Sequence, residues 1–99
     1  MKIIKNQVDV LEYKIGYCGE IEIEDIKVMS KRRKGIGREM FNELLKLNPK
    51  TVYAFTRKSN ELGRVFYKSL GFKELELPNF YSEENAIMVI YENSLYRKI

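Results

Sequence analysis

A chain of 99 residues, 44% apolar and 32% charged, has the size and balance of one folded domain, 1–99, with a single modest core. A net charge of +4 favours anionic partners in general, from nucleic acid and anionic lipid to phosphorylated small molecules. One cysteine, Cys18, and no histidine exclude an internal disulfide and a cysteine–histidine metal site, so no metal is expected and a reducing cytoplasm is.

The amino-terminal MKIIKNQVDV lacks the apolar stretch of a secretory signal. From Lys2 to Val28 the pattern predicts two or three antiparallel strands, with Val8, Val10 and Leu11 before one turn and Ile15, Tyr17, Ile21, Ile23 and Ile26 after it. Gly16 and Gly19 punctuate the run. In EIEIED, Glu20, Glu22 and Glu24 alternate with Ile21 and Ile23, which makes one strand face acidic and the other apolar.

Met40, Phe41, Leu44, Leu45 and Leu47 recur at three- and four-residue spacing and predict an amphipathic helix of about three turns, stopped at Asn48-Pro49. TVYAFT, 51–56, reads as a buried strand. Ser59 or Asn60 is placed to cap a second helix with Leu62, Val65, Phe66 and Leu70 inward and Gly71 closing it. Phe72, Leu75 and Leu77 predict a strand ending at Pro78-Asn79. AIMVIY, 86–91, is apolar on both sides and predicts a last strand inside the sheet, too short to span a bilayer.

Between the first strands and the first helix lies SKRRKGIGREM, residues 30–40. A strand that enters a glycine turn and leaves as a helix suits an anion, because the first-turn amides lack intrahelical partners and the peptide dipoles leave positive charge there. Gly35 and Gly37 would allow close backbone approach or positive φ, and Arg32, Arg33, Lys34 and Arg38 would add charge. The spacing fits neither the P-loop nor the dinucleotide fingerprint. By composition alone, the run reads first as a solvated turn, with a grip on nucleic acid phosphates as the lesser alternative.

RRKGIG, 32–37, and NELGRVFYKSLGF, 60–72, together resemble the two signature segments of the GNAT family of acyl-CoA N-acyltransferases. The first matches the family's Arg/Gln-x-x-Gly-x-Gly/Ala loop after a strand ending in Val28. The second matches Asn-x-x-Ala-x-x-x-Tyr-x-x-x-Gly-Phe through Asn60, Tyr67, Gly71 and Phe72, with Gly63 where alanine is usual. The resemblance implies an α/β (α+β) fold with a mixed, mostly antiparallel sheet and two main helices. Two central parallel strands, the one ending near Val28 and the one at 51–56, would splay into an acyl-CoA cleft.

It also implies roles. Arg32, Arg33, Lys34, Gly35, Ile36, Gly37 and Arg38 would line the pyrophosphate site of acetyl-CoA, while Ile26 and Val28 would offer main-chain bonds to its pantetheine arm. Asn60 and Gly63 would approach that arm from the second helix, with Tyr67 by the sulfur. Acetyl-CoA is the acyl donor, a substrate, and no metal is needed. About thirty residues precede the loop, fewer than the family spends on a first strand and two helices. The acceptor side would then be open to a large substrate or to a second subunit in a homodimer.

The implied reaction is attack of a primary amine, small or on a protein or peptide, on the thioester in a ternary complex. A lysine-like amine has a pKa near 10.4, so a base is useful at neutral pH. Glu24, and next Glu22, stand on the acidic strand beside the expected acceptor site. Tyr67, protonated at neutral pH, is the candidate acid toward the departing thiolate. Phe80 and Tyr81 are further candidates to shape the acceptor pocket. The competing readings are a nucleic-acid module gripping phosphates through the basic loop and a CoA-binding relative without turnover.

Overall fold

The computed structural model describes residues 1–30, 35–76 and 85–98. In chain order these form β1 (Lys2–Lys5), β2 (Asp9–Ile15), β3 (Ile21–Lys27), α1 (Ile36–Leu45), β4 (Thr51–Arg57), α2 (Glu61–Leu70), β5 (Lys73–Glu76) and β6 (Ala86–Glu92). The strands make one six-stranded sheet in the order β1-β2-β3-β4-β6-β5. Every neighbouring pair is antiparallel except β3 and β4, which run parallel. This is the expected mixed α/β sheet with two helices.

The first hairpin turns at residues 6–8, where Asn6 and Gln7 both take positive φ, 53° and 65°. Two non-glycine residues in the left-handed region carry no strong sequence signal. Hence Val8, expected in a strand, sits in the turn and is exposed. The second hairpin turns where Gly16 and Gly19 predict it, with Gly16 N donating to Glu20 O at 2.8 Å and Gly19 N to Gly16 O at 3.1 Å.

Both helices pack on one face of the sheet. Leu11, Ile21, Ile23, Val52, Ala54 and Val89 supply that face, and Met40, Phe41 and Leu44 of α1 and Leu70 of α2 close over it. Met40 and Leu44 are fully buried, so truncating either to alanine removes about 2–5 kcal/mol. Leu47, expected on the helix, falls beyond its end and is exposed, because Asn48 turns left-handed at φ 59°.

The register of α2 differs from expectation in a useful way. Gly63, Phe66, Tyr67 and Leu70 face inward, while Leu62 and Val65 are 87% and 65% exposed. The Asn60 cap and the Gly71 terminus, φ 102°, are as the sequence predicts, with Phe72 N closing onto Tyr67 O at 3.1 Å. A set at 63, 66, 67 and 70 is one helical stripe, and Leu62 and Val65 lie off it.

On the opposite sheet face, Tyr53 and Phe55 stand beside Ile90 and Met88 of β6, and Leu75 of β5 pairs with Met88. Among the described residues no helix covers them, so β4, read as a buried strand, is buried on one side only and Phe55 is half exposed. β6 does lie inside the sheet, between β4 and β5. Leu77, Pro78 and Asn79 lie outside the described residues.

Candidate functional site

The parallel ladder of β3 and β4 is three residue pairs long, Ile21 with Val52, Glu22 with Tyr53 and Ile23 with Ala54. Both strands continue past it, β3 to Lys27 and β4 to Arg57, with no rung between them. The cause lies on the other side of β3. There Tyr13 pairs with Ile23 and Glu12 with Asp25, leaving Glu24 as an extra residue, a β-bulge. The bulge bends β3 away from β4 and returns Ile26 to the face of Leu11, its cross-strand partner, where it packs on the core. A cleft of about 910 Å3 opens where the strands part.

Glu24, Asp25, Ile26 and Val28 form its β3 wall, and Phe55 and Thr56 its β4 wall. A strand end with a parted neighbour offers main-chain N–H and C=O groups to a ligand. At the far end, Gly35, Ile36, Gly37 and Arg38 bring in the first turn of α1. Gly35 is the N-cap at φ 91°, in open space and without a side chain to cap the first-turn amides. Those donors, together with the helix dipole, suit an anionic group at this end of the cleft.

Gly37, which lines the cleft, also has a packing role that the sequence did not suggest. Its φ is not positive, and a Cβ there would stand 2.8 Å from two ring carbons of Phe66. It lets the two helices meet. Arg38 reinforces the contact, its Nη2 donating to Ser69 O at 2.8 Å. Arg32, Arg33 and Lys34, expected in the same loop, and Phe80 and Tyr81, expected near the acceptor, lie outside the described residues.

From α2, Asn60, Gly63, Phe66 and Tyr67 face the cleft. Asn60 Nδ2 donates to Thr56 Oγ1 at 3.1 Å, and its Oδ1 accepts from Gly63 N at 3.0 Å, so one side chain joins β4 to the start of α2. A Cβ on Gly63 would run into that side chain. Tyr67 packs edge-on against Phe72 at 5.1 Å. Burial, and secondarily the nearby Asp25 carboxylate, pushes its phenol up to about 12.

The acidic strand divides at the bulge. Glu24 and Asp25 reach the cleft, whereas Glu22 does not line it. Glu22 instead accepts from Tyr53 Oη at 3.3 Å and pairs with Lys14 at 3.4 Å on the uncovered sheet face. Burial first, then this carboxylate, raises the Tyr53 phenol. Asp25 escaped the sequence reading because strict alternation puts it on the isoleucine side. The bulge is what returns it to the cleft, where Lys27 pairs with it at 3.6 Å.

No family model matches the chain, and no curated protein matches it significantly. Solved structures do. Ard1 of Thermoplasma volcanium is 27% identical with a TM-score of 0.69, over 86% of this chain and 62% of that one. PaiA N-acetyltransferase of Thermoplasma acidophilum, solved with coenzyme A, is 16% identical with a TM-score of 0.74, over 91% and 57%. A Desulfovibrio desulfuricans structure assigned to the GNAT acetyltransferases is 20% identical with a TM-score of 0.72, over 91% and 64%. This chain has the fold of the GNAT acetyltransferases.

The chain spans about three fifths of the length of these three structures. Among its described residues no group of acidic or cysteine side chains is arranged to hold a metal ion, and no helix is long and apolar enough to cross a membrane. Besides Asp25, sequence reasoning missed Leu62 and Phe55 at the cleft mouth, both apolar residues assigned to the interior. It also missed Asp9, a buried carboxylate with no motif around it.

Proposed function

We propose that this chain is an N-acetyltransferase of the GNAT family that moves an acetyl group from acetyl-CoA to a primary amine by direct attack in a ternary complex. The observation that carries the reading is the parting of β3 and β4 at a bulge, with an uncapped helix start at one end of the resulting cleft. Its volume of about 910 Å3 lies within the range of roughly 300–1,000 Å3 common for small-ligand clefts. An elongated donor with an anionic end and a neutral arm suits that shape. The diphosphate would sit at Gly35–Arg38 with help from Arg32, Arg33 and Lys34. The arm would lie against the main chain of Ile26 and Val28, and Asn60 and Gly63 would flank it.

The acceptor must lose its proton to attack, and Glu24 at the bulge is the proposed base, with Asp25 beside it to hold a cationic amine. Attack forms the new C–N bond and a tetrahedral oxyanion, whose collapse breaks the C–S bond and frees a thiolate. Tyr67 donates a hydrogen bond to that sulfur. With its phenol near 12 and an ordinary thiol near 8.5, full proton transfer to the free thiolate is uphill by roughly 5 kcal/mol. The phenol therefore acts first by steadying developing charge. The amine's proton leaves through Glu24.

The test has two parts. Coenzyme A and acetyl-CoA are titrated calorimetrically, and free thiol is followed on adding acetyl-CoA with a panel of primary amines. Binding with amine-dependent thiol release supports the reading. Absence of binding rejects it, and binding without release leaves only the non-catalytic CoA-binding alternative.

A further inference from the structure

We propose that Asp9 is a positioning residue of the donor cleft, gripping the peptide N–H groups of Met29 and Ser30 and so fixing how the chain leaves β3 toward the diphosphate site. This rests on the acyl-CoA reading above. Asp9 opens β2, four residues past the end of β1, and its side chain is fully buried. Its Oδ1 accepts from Met29 N at 2.7 Å and from Ser30 N at 2.8 Å, while Oδ2 accepts from Asn6 Nδ2 at 3.0 Å.

A turn aspartate serving its own hairpin would need only the Asn6 contact. The other two bonds join residues 20 and 21 positions apart, and both converge on one carboxylate oxygen. They anchor Met29 and Ser30, directly after Val28 on the cleft wall. Hydrogen bonds from Asn6 foremost, then from Ser30 and Met29, outweigh burial and hold the carboxyl below its usual range, so it stays charged at neutral pH. Charged acceptors make the shorter and stronger bonds. Main-chain donors bind a diphosphate well only if their direction is set before the ligand arrives, since ordering them afterwards subtracts from affinity.

The inference separates from a purely structural role by comparing two ligands. Coenzyme A carries the diphosphate, and pantetheine has the same thiol arm without phosphates. Asp9→Asn keeps the shape of the side chain, removes its charge and leaves one fewer acceptor. We expect it to weaken coenzyme A roughly tenfold by calorimetry. Pantetheine binding, followed by NMR titration, should stay within about twofold.

Equal losses for both ligands, or no loss for either, would overturn the proposal. If wild-type protein gives no heat with coenzyme A, the acyl-CoA reading falls and takes this inference with it. Wild-type binding with an unchanged Asp9→Asn constant sinks this inference alone. Should Asp9→Asn not fold, Asn6→Ala removes one bond at an exposed turn position, and the expected loss is about threefold for coenzyme A only. Absence of that selective loss would likewise overturn it.

Discussion

Gly37 of α1 and Phe66 of α2 touch so closely that a methyl group on the glycine would stand 2.8 Å from the aromatic ring. Gly37→Ala should therefore cost roughly 1–3 kcal/mol through overpacking, lowering the melting temperature by about 4–8 °C per kcal/mol. Phe66→Leu in the same background should restore most of it. An unshifted melting curve for Gly37→Ala would show that the ring moves aside freely.

Tyr67→Phe removes the phenolic hydroxyl and keeps the ring that packs on Phe72. With the amine that gives the most thiol release, kcat should fall about 10–100-fold while the affinity for acetyl-CoA stays within about twofold. Unchanged kcat would take Tyr67 out of the mechanism.

Glu24 and Glu22 are two residues apart but occupy different environments, one at the cleft and the other held by Tyr53 and Lys14. Glu24→Gln should lower kcat/KM about 100-fold. Glu22→Gln should change it less than about threefold. The reverse order of effects would relocate the base.

Acid sensitivity should come partly from the pair that ties α2 to β5. Arg64 Nε and Nη2 donate to both Glu74 oxygens, at 2.8 and 3.0 Å. That contact, followed in effect by Lys68, pulls the Glu74 carboxyl down from 4.5 to about 2. A folded-state pKa below the unfolded one contributes stability that is full above about 4.5 and fades as pH falls toward 2. Denaturant curves of Glu74→Gln and wild type should thus differ at pH 7 and converge near pH 2. A constant gap across that window would remove the pair from the acid response.

The architecture was legible where single residues dictate geometry. Asn60 and Gly71 bracket α2 because one accepts from a first-turn amide and the other takes φ 102°, and the two signature segments place the cleft. It was illegible where the chain departs from its own period. The Glu24 bulge puts Asp25 on the cleft, and the left-handed pair Asn6 and Gln7 displaces the first turn. Asp9 shows no local pattern at all, since its value lies in donors more than 19 residues away.

The short β3–β4 ladder has a wider consequence. Strands β1-β2-β3 and β4-β6-β5 are two three-stranded leaves stitched together by the main chain at only three positions. A molecule bonding to the loose margins of both leaves would act as an extra stitch and lengthen the seam. The same gap that admits a guest makes the centre of the sheet the place where the fold has most cohesion still to gain.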